Sequence, residues 1–476
     1  MREIEKLLEH IITRVSINLR KPYFDVAPYV RNLVPVDSHA LYYAFYALTP
    51  NHPLYFSFKH SSLAGTYFLG KCEVDHSILY KSDIRGDELK AKGSTLEFDG
   101  IKVTLYDDEI IRIKDSMLVK TLVHANSHNP ESLEIFRIIN TVALHYSNIH
   151  GTTMEGCLLM PFATVDLSMC HDCVFGEFSY VQAGDLSHEK IEKGRIWVRA
   201  EGAFEFNYRF PDGVVDKYIS LTPGSKPKGE LIDFCESRKE DFIPIYSSVI
   251  PELGVEVPES AFVSPYAVVK GNCKVGNNVL VSQRAYIESS SLGDGANAQE
   301  SCYIVNSTYD GMNVTAHGGK VINAHLGRKV FTGFNSFVRG KADAKITVGK
   351  ECIIMPHTII DAVEPITIPE RNLVWGYITK QADLEANSLS LDEVAKIKGQ
   401  FRLGNMSFDG LGSAFVKAFQ NRIEHILEVN GAYCDCDDTK GHAQETQAIS
   451  YNILQPYPEG ALKGLCPTVT ISPLVP

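Results

Sequence analysis

The chain has 476 residues, of which 44% are hydrophobic and 22% charged, an ordinary balance for a globular protein long enough to hold two or three domains. A net charge of −12 argues against non-specific binding to nucleic acid or to an anionic membrane, since both need a basic surface. Eleven cysteines, an odd number, predict free thiols. With no secretory leader and no apolar run of membrane-spanning length, they predict a cytoplasmic protein.

In chain order, Ile4, Leu7, Leu8, Ile11, Ile12 and Val15 fall on one face of an N-terminal helix. An aromatic run at 41–46 reads as helix or strand, so 1–60 form a helical and aromatic segment. Six-residue spacing then appears at Leu63 and Leu69 and again at Ile78 and Ile84. It breaks over 89–146, where an α+β insertion is expected with strand-like alternation at 101–105 and a helix over 131–146. Hexads return at Leu159 and Val165, then at Met169, Phe175 and Val181, so 61–186 read as early coils interrupted by that insertion. A β-rich insertion is expected over 187–255.

The main block, 256–370, sets an aliphatic residue on every sixth position: Val257, Val263, Val269, Val275, Val281 and Ile287. Neither the 3.6-residue helix nor the two-residue strand asks for that spacing. It fits a parallel β-helix, in which each short strand supplies one inward side chain before a turn and each coil buries its face on its neighbours. The spacing recurs at Leu326, Thr332 and Val338 and at Val348, Ile354, Ile360 and Ile366, with a lapse between Ile304 and Leu326 that predicts an irregular corner. Glycine follows several of these positions, as at Gly276, Gly293, Gly327, Gly333 and Gly349, where a Cβ would clash in a tight turn. Residues 371–476 read as a helical and then extended segment, with Phe415, Phe419, Ile423, Ile426 and Leu427 on one helix face. Such helices commonly cap the open end of a solenoid.

A six-residue aliphatic period with glycine next to it resembles the hexapeptide-repeat transferase family. That resemblance implies a mainly β protein built on a left-handed parallel β-helix, here with α+β insertions and N- and C-terminal helices. Handedness comes from the resemblance alone, because the general rule for parallel crossovers gives the right hand. The resemblance implies an acyltransferase that moves an acyl group from acyl-CoA to an amine or hydroxyl of a small-molecule acceptor, in a cleft of a homotrimer. No nucleic-acid or membrane partner is expected.

One branch of the fold, similar to the gamma-class carbonic anhydrases, implies zinc, and 294–300 (Asp-Gly-Ala-Asn-Ala-Gln-Glu) is similar to a turn of that branch. Its ligand histidines do not carry over: Val305 stands six residues after Gln299, and Ile322 stands five after His317. Zinc needs three protein ligands and an open position, so no metal is favoured. A metal-dependent lyase or hydrolase and a non-catalytic scaffold are the alternatives.

Acyl transfer needs a neutral imidazole to take the acceptor's proton. His317, followed by Gly318 and Gly319, is the first candidate for that base, His325 the second and His357 the third. Gly318 and Gly319 are candidates for close approach of the cosubstrate and for oxyanion donors. Arg328, Lys329, Arg339 and Lys341, with Lys345 and Lys350 nearby, are candidates for the phosphates of acyl-CoA. Cys170 and Cys173 show half a metal-site spacing, but read as small side chains filling a coil. His124 and His128 read as exposed polar residues ahead of a helix. The N-terminal third lacks the glycine-rich start that a bifunctional sugar-nucleotide enzyme of this family would carry.

Overall fold

A computed structural model describes residues 2–49, 52–86, 88–98, 100–125, 133–433 and 449–474. The chain forms two compact units: Met1–Lys193 with Gly213–Arg238 and Ala448–Pro476, and Gly194–Asp212 with Lys239–Gln447. In both, strands of two to five residues pair in parallel with the strands three further along, so the chain winds three strands to a turn and builds three parallel sheets. The protein is mainly β.

The second unit holds the main ladder. One sheet runs from Phe262–Val263 through Leu280–Val281, Asn297–Ala298, Val314–Thr315, Phe331–Thr332 and Ile353–Ile354 to Asn372–Val374. Side chains alternate across a strand, so the central aliphatics point inward and stack in columns: Ile287, Ile304, Val321, Val338, Ile360 and Ile378 form one. Coil strands continue to Tyr377–Ile378, beyond the expected 370, and an antiparallel strand, Ser388–Ser390, covers Asn372–Val374, the last coil strand of its own sheet. Helix Gly412–Val429 buries Phe415, Val416, Phe419, Ile423 and Leu427, while Ile426 is only half-buried. It packs beside a hairpin, Arg195–Ala200 and Phe204–Arg209, where Phe415 meets the rings of Phe204 and Phe206.

The ladder does not lapse between Ile304 and Leu326. Tyr309 and Thr315 occupy the inward positions there, and their hydroxyls hydrogen-bond to each other at 2.8 Å inside the coil. A search for aliphatics alone misses that pair, because a satisfied polar pair can replace two apolar side chains in a core.

The glycines beside the inward positions also have a more specific reason than tight turns. Gly276, Gly293, Gly327, Gly333 and Gly349 do not have positive φ. A Cβ on Gly333 would lie 2.3 Å from the backbone nitrogen of Pro356, and one on Gly349 would lie 2.4 Å from that of Glu370. The next coil's backbone occupies the space.

In the first unit, coils run from Tyr67–Leu69 to Lys190–Ile191. Two-residue and three-residue strands recur sixteen residues apart in the regular part, as in Asn148–His150, Thr164–Asp166 and Tyr180–Gln182. The expected insertion at 89–146 is mostly coil. Only the hairpin Thr95–Phe98 and Ile101–Thr104 stands apart, and strands Ile110–Lys114 and Met117–Val119 rejoin the sheets. The helix expected over 131–146 is absent from its described part: Ile135–Ile139 and Val142–Ala143 are coil strands, residues 131 and 132 lying outside the described ones. Its run of apolar residues satisfied a helical period and a coil equally, and pairing with neighbouring coils decided the matter. The insertion expected as β-rich over 187–255 is that second-unit hairpin followed by short helices, among them Val214–Tyr218 and Glu230–Glu236.

Helix Glu3–Asn18 forms as its pattern predicts and lays Ile4, Leu7, Ile11, Ile12 and Val15 against coil residues including Met117, Val142 and Leu158. The aromatic run resolves into strand Ala44–Leu48. Late strands Ser450–Leu454 and Val469–Ile471 add antiparallel to Ala44–Leu48 and Phe56–Lys59, closing two open sheet edges. Among the described residues, no helix is long and apolar enough to cross a membrane.

Candidate active site

In the second unit, a four-residue corner follows each strand from Phe262–Val263 to Ile353–Ile354 of the sheet that contains Val314–Thr315. Because the coils are in register, equivalent corner residues stack, and Gln283, Glu300, His317 and Phe334 form one column. Nδ1 of His317 lies 2.6 Å from Oε2 of Glu300 in the coil before it, and its ring centroid is 5.4 Å from that of Phe334 in the coil after it. Both polar side chains are almost fully buried, at 3% and 2% exposure. The carboxylate thus faces the imidazole nitrogen directly in a buried corner, where the low local dielectric strengthens their mutual interaction. Such an arrangement suits a general base.

Gly318 and Gly319 stand beside it as expected, but not in the expected role. The Gly318 N–H donates to the carbonyl of Glu300 at 2.9 Å and the Gly319 N–H to that of Ala316 at 2.8 Å. Neither amide serves as an oxyanion donor while those bonds hold. Gly318 has φ +70°, and a Cβ on it would lie 2.3 Å from Oδ1 of Asn335, so the next coil fills the space kept open for a cosubstrate.

His325 sits elsewhere, on the outer face of strand Ala324–Leu326, half-exposed, with Nε2 2.8 Å from Oδ1 of Asp310. His357 is fully buried at the corner after Ile353–Ile354, with its backbone N–H donating to the carbonyl of Phe334. The basic candidates scatter over different faces. Arg339 makes a two-pronged bond to Asp361, with both contacts at 2.8 Å, and Lys329 pairs with Glu424 of helix Gly412–Val429. Lys350 lies 3.4 Å from Glu370. Arg328 and Lys341 are exposed, and neither makes an ion pair among the described residues.

Two of the three ligand positions of the carbonic-anhydrase branch hold apolar side chains that face each other: Val305 and Ile322 are direct neighbours on adjacent strands, both buried, and only His317 remains. The main block therefore does not fit that zinc site.

The first unit carries a second polar constellation that the sequence reading missed. On the sheet running through Asp83–Arg85, Leu122–His124, Asn148–His150 and Thr164–Asp166, the last residue of each strand aligns with the next, placing Arg85, His124, His150 and Asp166 in one column. All are buried. Nδ1 of His150 hydrogen-bonds to Oδ1 of Asp166 at 2.9 Å, and the Tyr180 hydroxyl donates to Oδ2 at 2.6 Å. His124 stands edge-on to His150 with ring centroids 4.9 Å apart, and is no exposed polar residue. His128 lies outside the described residues. Burial lowers the affinity of the Arg85 guanidinium for its proton, while the nearby Asp83 and Glu88 carboxylates oppose that effect. The signal was present in the sequence: Val123-His124, Ile149-His150 and Val165-Asp166 each place a polar residue directly after an inward aliphatic.

A three-strand coil with stacked polar corners and faces defines a class, and comparison with known proteins agrees. Residues 101–223 match the family described as "Hexapeptide repeat including loop". A solved structure from Desulfovibrio desulfuricans G20, provisionally named an acetyltransferase, is 51% identical, with a TM-score of 0.92 over 99% of this chain and 99% of its own. Two curated relatives, the bifunctional protein GlmU of Polaromonas naphthalenivorans and that of Paracidovorax citrulli, are each 29% identical, over 140 and 138 residues. Each match covers 29% of this chain but only 26% of the relative, so the chain spans about a quarter of those relatives' length. The chain belongs to the hexapeptide-repeat transferase family.

Proposed function

We propose that the protein is an acyltransferase that moves an acyl group, acetyl foremost, from acyl-CoA to an amine or hydroxyl of a small-molecule acceptor. The observation that carries this reading is the buried contact between His317 and Glu300 at 2.6 Å, in a chain 51% identical to a protein provisionally named an acetyltransferase. His317 takes the acceptor's proton as the acceptor nitrogen or oxygen attacks the thioester carbonyl carbon. The tetrahedral intermediate then collapses, the carbon–sulfur bond breaks, and the imidazolium returns the proton to the coenzyme A thiolate. Glu300 holds the imidazole and stabilises its charged state.

His317 leads His325 because its carboxylate partner is buried. An exposed imidazole–carboxylate pair such as His325 and Asp310 gains little from its contact. For the phosphates of acyl-CoA, Arg328 and Lys341 lead. Lys329 and Arg339 would first have to leave Glu424 and Asp361. The same reading carries a left-handed coil, a homotrimer and a cytoplasmic location.

Calorimetry with acetyl-CoA, followed by a thiol-release assay against a panel of amines and alcohols, tests the reading. Binding together with acceptor-dependent thiol release is expected. No binding and no release with any acceptor would leave a scaffold as the better account.

A further inference from the structure

The face that carries Arg85, His124, His150 and Asp166 gathers charged and metal-ligating side chains into one buried column. Outward positions on a coil are normally solvated, and burying them costs free energy unless each polar group is matched. Here the buried groups include two imidazoles in register on adjacent strands, Leu122–His124 and Asn148–His150, with ligating nitrogens within 4.8 Å of each other. Three carboxylates, Asp83, Glu88 and Asp166, stand against one guanidinium, Arg85. The local balance is negative, which favours a cation over an anion.

The hydrogen bonds add a direction. Asp166 is an acceptor toward His150, so Nδ1 carries the proton and Nε2 keeps its lone pair. The Tyr180 hydroxyl holds the other oxygen of Asp166 at 2.6 Å. A carboxylate fixing one imidazole nitrogen so that the other can bind a metal is the usual outer support of a histidine ligand. Nε2 of His124 lies 3.9 Å from Oε1 of Glu88, a second acidic group beside the pair. Two imidazoles with carboxylate support select a late first-row divalent ion such as zinc or cobalt over magnesium or calcium, which prefer oxygen ligands throughout.

We infer that His124 and His150 are two ligands of a divalent transition-metal ion, with Asp166 and Tyr180 as the outer shell that orients His150. The inference rests on the first unit alone and stands whether or not the acyl-transfer reading holds, because its readout is metal binding and not turnover.

Full-length protein, stripped with chelator and dialysed, is titrated with zinc chloride and, separately, cobalt chloride, following heat and the visible absorption of bound cobalt. Binding of about one equivalent per chain is expected, with a cobalt spectrum showing imidazole ligation. His124→Gln and His150→Gln should each abolish stoichiometric binding while circular dichroism confirms the fold. Asp166→Asn should keep the stoichiometry and weaken affinity about 10–100-fold. His171→Ala, at an exposed histidine of the same unit, should bind like the parent. Absence of stoichiometric binding in the parent chain overturns the inference. So does full binding by a folded His124→Gln/His150→Gln double variant.

Discussion

Nδ1 of His317 and Oε2 of Glu300 meet at 2.6 Å across two adjacent coils, each side chain almost wholly buried. The contact exists because the two residues occupy the same corner position one coil apart, so the repeat itself brings base and carboxylate together. Replacing Glu300 with Gln keeps the shape and removes the charge. Turnover should fall with KM nearly unchanged, by less than the loss of the base itself, which costs on the order of 10²–10⁴. Steady-state kinetics of a variant whose melting curve shows it folded checks this, and an unchanged kcat would separate the carboxylate from catalysis.

The hydroxyls of Tyr309 and Thr315 satisfy each other inside the coil. Tyr309→Phe or Thr315→Val leaves one buried hydroxyl without its partner and should cost about 1–3 kcal/mol. Making both changes removes both polar groups, so the double variant should be more stable than the sum of the single losses implies. Urea denaturation of the four proteins measures the coupling.

Close packing between coils predicts a graded glycine series. At Gly333 a Cβ would meet the Pro356 backbone at 2.3 Å, whereas at Gly184 nothing lies within 4 Å and only its positive φ, +74°, resists substitution. Gly333→Ala must push two coils apart and should destabilise by more than the roughly 1–2 kcal/mol expected for strained φ at Gly184→Ala. Thermal melts of the two variants order them.

Burial holds His39 neutral, with its proton affinity lowered to about 4 from its ordinary 6.5 and Nδ1 2.9 Å from Oγ of Ser62. Between those values the unfolded chain binds a proton that the folded chain refuses. The contribution to stability is therefore complete above about pH 6.5 and is lost as pH falls through 4, amounting to on the order of 3 kcal/mol. Melting temperature should drop over that window, and His39→Gln should flatten part of the drop.

The coil was legible in the sequence because its inward positions must be small or aliphatic at fixed spacing, and Val257 to Ile287 show that rule unbroken. It was harder to read where other chemistry satisfied the same geometry. Tyr309 and Thr315 filled the core as a hydrogen-bonded pair, and the 133–146 stretch carried a helix-like run into strands. His317 was visible as a corner histidine, but its partner Glu300 lies seventeen residues earlier, and only the stacking of coils joins them. His124 and His150 escaped notice for the same reason. They are twenty-six residues apart in sequence and neighbours only in register.

Turnover of His317→Ala beside His325→Ala, both measured as coenzyme A thiol release with acetyl-CoA and a productive acceptor, tests the account most directly. The account predicts a loss on the order of 10²–10⁴ for His317→Ala, with His325→Ala close to the parent. Near-parental turnover by a folded His317→Ala would contradict it.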